Sequence, residues 1–106
     1  MDVLATLKAY PGILDGETLR DEDLNAILEI AKEIILSRRY PFGGAPDEFP
    51  TRFEMLQVRI AIDIIQKLGA EGHLRYAEGE ISREFAAGYV SPELLREIVP
   101  LAGIPS

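Results

Sequence analysis

Residues 51–72, TRFEMLQVRIAIDIIQKLGAEG, decide how this chain is read. Phe53, Leu56, Ile60, Ile64 and Leu68 recur at the i, i+3, i+4 spacing of a helix face. Met55, Val58, Ile62 and Ile65 make a second apolar stripe. Polar residues keep only a narrow strip: Arg59, Asp63, Gln66 and Lys67. A helix apolar around most of its circumference must be covered on more than one side, by other helices or by a neighbouring subunit. Thr51 with Glu54 three residues on reads as a capping box after Pro50. Gly69 and Gly72 suit a left-handed C-cap and an exit turn.

Upstream, Thr18 or Asp21 opens another helix, with acids crowded into its first turn and Leu24, Ile27, Leu28, Ala31, Ile34 and Ile35 on one face. Arg38 and Arg39 end it, at the pole of the helix dipole that favours cations. Asp2 caps a short N-terminal helix running toward Tyr10, with Val3, Leu4 and Leu7 on one side and Pro11-Gly12 as its stop. Residues 41–50, PFGGAPDEFP, form a loop into the central helix. Downstream, Leu74 and Tyr76, then Ile81, Arg83 and Phe85, alternate around Glu78-Gly79 as a weak hairpin or extended loop. Ser91-Pro92-Glu93 starts the last helix, cap then proline then acid, and Pro100 ends it. The expected fold class is all-α: a small single-domain bundle over residues 1–106, with three main helices and a short N-terminal one. A long loop or weak hairpin precedes the last helix, and a short apolar tail runs from about residue 100 to 106.

The 106 residues can bury roughly two-thirds of the surface of the unfolded chain, a real but thin core. No apolar run is long enough to span a membrane, and the N-terminus does not read as a signal peptide. The absence of cysteine excludes a disulfide framework and thiolate chemistry. With 18 acids against 11 bases, the net charge of −7 argues against a protein that grips phosphate backbones.

The residues that could carry chemistry do not assemble into a site. His73, the one histidine, lies near Glu71, Glu78 and Glu80, but a zinc site needs three or four His or Cys ligands. The neighbours read more simply as a solvated acidic loop. Ser91 reads as a cap, not a nucleophile. Gly43-Gly44 is followed by Ala-Pro-Asp, so no phosphate loop is present. Arg38, Arg39 and Tyr40 read equally as helix-end charge complementarity and as a surface contact, since Arg and Tyr are favoured at interfaces. No catalytic residue, metal or cofactor is expected.

The order of motifs resembles the small head–tail connector proteins of long-tailed bacteriophages and prophages, also called head-completion or DNA-packaging adaptors. The carrying residues are Leu56-Gln57-Val58-Arg59-Ile60-Ala61, Gly69-Ala70-Glu71-Gly72 and Glu78-Gly79-Glu80-Ile81-Ser82-Arg83. They continue with Ser91-Pro92-Glu93-Leu94-Leu95, Ile98-Val99-Pro100 and the helix end Arg38-Arg39-Tyr40-Pro41. The similarity covers roughly residues 18 to 104. It departs at His73-Leu74-Arg75-Tyr76-Ala77, where the family often has a serine-rich stretch, and at Glu80, where Gly or Asn is common.

The resemblance implies a non-enzymatic subunit of a closed ring, about twelve-fold, beneath the capsid portal. Such a ring extends the DNA channel without sequence-specific binding and carries a tail-side head-completion protein. It implies a location at the head–tail interface of the virion, and in the host cytoplasm during assembly. It gives Pro100, Leu101, Ala102, Gly103, Ile104 and Pro105 a portal-docking role. It makes Arg38, Arg39, Tyr40, Glu71, Tyr76, Ser82, Arg83 and Phe85 candidates for subunit contacts. The alternative is a small acidic helical module that binds or regulates another protein. A helix-turn-helix DNA binder is less favoured, because residues 51–68 set only Arg52, Arg59 and Lys67 against Glu54 and Asp63.

Overall fold

In the computed structural model the central stretch is a helix, Glu54–Ala70 (α3), entered through a 3-10 turn at Thr51–Phe53. The structure describes residues 2–10, 21–70, 88 and 90–99. Three further helices surround α3: Val3–Lys8 (α1), Asp21–Arg39 (α2) and Pro92–Arg96 (α4). No strand occurs among the described residues, so the all-α reading holds for them. The proposed hairpin across 74–85 lies outside the described residues. No described helix is long and apolar enough to cross a membrane.

Both apolar stripes of α3 are used. Phe53, Leu56, Ile60 and Ile64 are buried, and so are Val58, Ile62 and Ile65. Helices α1, α2 and α4 all pack against α3. Of the two covers expected for this helix, other helices or a neighbouring subunit, the chain's own helices supply the cover. Met55 is the exception, 49% exposed, and leaves the second stripe at its first position.

Helix α2 buries the face read from its spacing, Leu24 to Ile35, and adds Ile30 and Asp23. Acids stand in its first turn and Arg38 and Arg39 in its last, each matching the dipole. On its outer face Lys32 approaches Glu29 at 3.7 Å. Helix α1 is capped as expected: the Ala5 N–H donates to Asp2 Oδ1 at 3.2 Å. Its Leu7 is fully buried, with Val3 and Leu4 packed at the core's edge. Lys8 pairs with Asp21 at 2.9 Å, tying the end of α1 to the start of α2.

Three terminal signals are corrected. Pro50, not Thr51, stands at the cap position before α3, and its carbonyl accepts the Phe53 N–H at 3.0 Å. The chain tightens into a 3-10 turn there, which satisfies backbone groups without a capping side chain. Gly69 lies inside α3, not at its C-cap, and Gly72 is outside the described residues. The last helix is five residues long and loosens into a turn at Glu97, ahead of the proline expected to stop it.

One buried polar side chain crosses the core. Gln57, 5% exposed, donates from Nε2 to the Leu28 carbonyl of α2 at 2.9 Å. The hydrogen bond offsets the cost of burying the amide and fixes the register of α3 on α2. In the loop after α2, Gly43 and Gly44 both adopt φ +86°, a conformation that strains any residue with a Cβ. The Gly43 N–H donates to the Tyr40 carbonyl at 3.1 Å, closing the turn. Phe49 then folds back on Phe53, with ring centroids 6.2 Å apart.

Ile64→Ala should cost about 2–5 kcal/mol, because a fully buried side chain leaves a cavity. Met55→Ala should stay within about 0.5 kcal/mol, as expected for an exposed position. Urea unfolding measures both. A cooperative transition should persist at the lowest protein concentration that can be measured, since the core is closed within one chain.

Candidate functional site

Three residues of the polar strip of α3, Arg59, Asp63 and Lys67, form the seat of α4, while Gln66 is exposed. Asp63 Oδ2 accepts the backbone N–H of Ser91 at 2.6 Å and also the Lys67 ammonium at 3.3 Å. Lys67 Nζ donates in turn to Ser91 Oγ at 2.7 Å. One turn earlier, Arg59 pairs with Glu97 just past the end of α4. Asp63, Arg59 and Lys67 share a face because they lie four residues apart. They meet the two ends of the short helix, while Val90 and Ile98 go into the core on either side of it.

This arrangement revises the reading of Ser91. It occupies the N-cap position, with Pro92 following, and its carbonyl accepts from Leu94 and Leu95. Its hydroxyl makes no cap hydrogen bond and instead accepts from Lys67. Lys67 thus ties the Ser91 hydroxyl and the Asp63 carboxylate to one ammonium at the start of α4.

Beside the seat lies an open cleft of about 340 Å³, lined by Tyr10, Arg59, Ile62, Asp63, Gln66, Ser91 and Leu94. Its polar groups are mostly committed to holding α4. Among the described residues no group of three or more His, Cys, Asp or Glu could hold a metal ion.

A second site forms at the end of α2. Arg39 Nη1 donates to the Val99 carbonyl at 2.7 Å, joining positions 60 residues apart. Its guanidinium carbon stands 5.9 Å from the centroid of the Phe53 ring, and that of Arg52 stands 4.9 Å from the same ring. Arg39 Nε is buried without a hydrogen-bond partner. Arg38 is exposed in the same helical turn, and Tyr40 is half-buried, donating its N–H to the Leu36 carbonyl at 2.9 Å. Phe42 and Val99 are exposed at 78% and 62%.

Of the candidate contact residues, then, Arg38, Arg39 and Tyr40 lie together at one end of the bundle. Glu71, Tyr76, Ser82, Arg83 and Phe85 lie outside the described residues, as do His73 and the tail from Pro100 to Pro105. The sequence reading missed the Asp63–Lys67–Ser91 knot and the Arg39–Val99 contact. The first had a signal: a carboxylate and an ammonium at i, i+4 on an otherwise apolar helix. The second had none, since nothing local to Arg39 points to position 99. No family model matches the chain, and no curated protein or solved structure is significantly similar to it.

Asp63→Ala should strip the Ser91 N–H of its acceptor and cost about 1–3 kcal/mol. Amide hydrogen exchange should rise through residues 91–98 before it rises in α2, because the ties that fail are those of α4.

Proposed function

We propose that this chain is a structural subunit of a phage head–tail connector, a ring component that links the portal to the tail and encloses the DNA channel. The reading rests on the resemblance over roughly residues 18 to 104. The observation that carries it is the Arg39–Val99 hydrogen bond. It joins the helix end Arg38-Arg39-Tyr40-Pro41 to the segment Ile98-Val99-Pro100, two motifs of the resemblance far apart in sequence. The chain is thereby held at Val99, one residue before the segment to which the resemblance gives the portal-docking role.

The fold also suits a passive adaptor. Its helices are fixed by apolar burial and by directional polar ties. Its negative balance keeps affinity for passing phosphates low, because each Lys or Arg contact adds salt-dependent attraction.

A second reading has an observation of its own. The central helix is covered within one chain, as it would be in a small acidic module that binds another protein as a monomer or dimer. That module would be indifferent to capsid components.

Native mass measurement of the chain mixed with a phage portal protein separates the two. The adaptor reading expects a cyclic complex, and a protein that stays free in the presence of portal rings refutes it. Deleting residues 101–106 should leave the circular dichroism and urea midpoint unchanged while weakening the complex. If the deletion unfolds the protein, the tail belongs to the core and the docking role assigned to it is wrong.

A further inference from the structure

Residues 90–99 are held differently from the rest of the described bundle. Helices α2 and α3 meet through side chains buried along most of their length. Helix α4 buries no residue of its own. Its Leu94 and Leu95 are partly buried, and Val90 and Ile98, just outside its two ends, enter the core. The remaining hold is polar and comes from four side chains of α2 and α3. Asp63 takes the Ser91 N–H at 2.6 Å and Lys67 the Ser91 hydroxyl at 2.7 Å. Arg59 takes Glu97, and Arg39 takes the Val99 carbonyl at 2.7 Å. These ties are open to water: the side chains of Arg59 and Glu97 are 40% and 48% exposed. Ser91 and Leu94 also line the open cleft, so α4 is not packed along that flank.

Exposed ion pairs are worth little each and are screened by salt. A five-residue helix does not persist off its seat, so α4 has no way to survive the failure of its end ties. The core answers salt with the opposite sign. The chain carries a net charge of −7, and screening relieves the self-repulsion that opposes its compact state. We infer that residues 90–99 form a charge-held strap, which ionic screening releases as one unit from a core that the same screening tightens. Release withdraws Val90 and Ile98 from the core and frees Val99 from Arg39. It therefore changes together the cover of α3 and the contact at the end of α2. The strap belongs to the fold and stands apart from the adaptor reading, since it operates in a ring subunit and in a small binding module alike.

Residue-resolved amide exchange of the full chain by NMR, between about 0.05 and 1 M sodium chloride, tests it. Rates are normalised to those of the unfolded chain in the same salt. The Ser91, Leu94, Leu95, Glu97 and Ile98 amides each donate a hydrogen bond within the strap or to its seat. Their protection should fall by at least about threefold as salt rises. Protection of core amides such as Ile60 and Ile64 should hold or increase. Arg59→Gln with Lys67→Gln should lower protection of the strap already at low salt and remove its salt response. Lys32→Gln breaks an exposed pair elsewhere, with Glu29, and should leave that response intact. Strap amides whose protection rises with salt in step with the core overturn the inference, as does a salt response that survives the double substitution. So does a common protection factor for strap and core amides, which is the mark of global unfolding. Should the double variant fail to fold by circular dichroism, the salt series on the unmodified chain decides alone, because the strap and the core are expected to respond with opposite signs.

Discussion

Burial of both apolar stripes of α3 is the constraint on which the described structure depends. Its residues Val58, Ile60, Ala61, Ile62, Ile64 and Ile65 supply a third of the buried core, and no single partner helix could cover them all. Helices α1, α2 and α4 are each too short or too one-sided to bury a face without it. The short ones show this most clearly. Six-residue α1 and five-residue α4 would not persist alone, since isolated helices of that length are marginal in water. They exist because Leu7 and Ile98 have a surface to dock on.

Apolar burial is not directional, so it does not by itself set how α4 lies. Hydrogen bonds and ion pairs do that work. Asp63 holds the Ser91 N–H, Lys67 holds the Ser91 hydroxyl, and Arg59 meets Glu97 at the other end of the helix. Gln57 plays the same part between α3 and α2, through one bond to a backbone carbonyl in the interior. Such ties contribute modest net stability each but penalise any other arrangement, which would leave buried polar groups unpaired.

At the end of α2 the balance is different. Arg39 is spent on tying down Val99, while Arg38 and Arg52 have no carboxylate beside them among the described residues. Exposed Phe42 and Val99 lie at the same end of the bundle. The adaptor reading proposed above rests instead on the resemblance and on the Arg39–Val99 bond that joins two of its motifs. It does not depend on the central helix needing outside cover, which the fold supplies internally.

The sequence by itself determined the helical class, the position of α2 and α3 and nearly all of the core, because the 3.6-residue period of Leu24 to Ile35 and of Phe53 to Ile65 is a local property. It also marked the Asp2 cap and the start of α4 at Pro92, since backbone donors at a helix start are satisfied within a few residues. Tertiary structure alone decided what covers α3, that its polar strip faces α4, that Gln57 is buried, and that Arg39 reaches Val99. Those outcomes hinge on which surfaces meet across gaps of 24 to 60 residues. A periodic pattern states that a face must be hidden; only the folded chain states by what, because burial free energy depends on area removed from water and not on the identity of the covering segment.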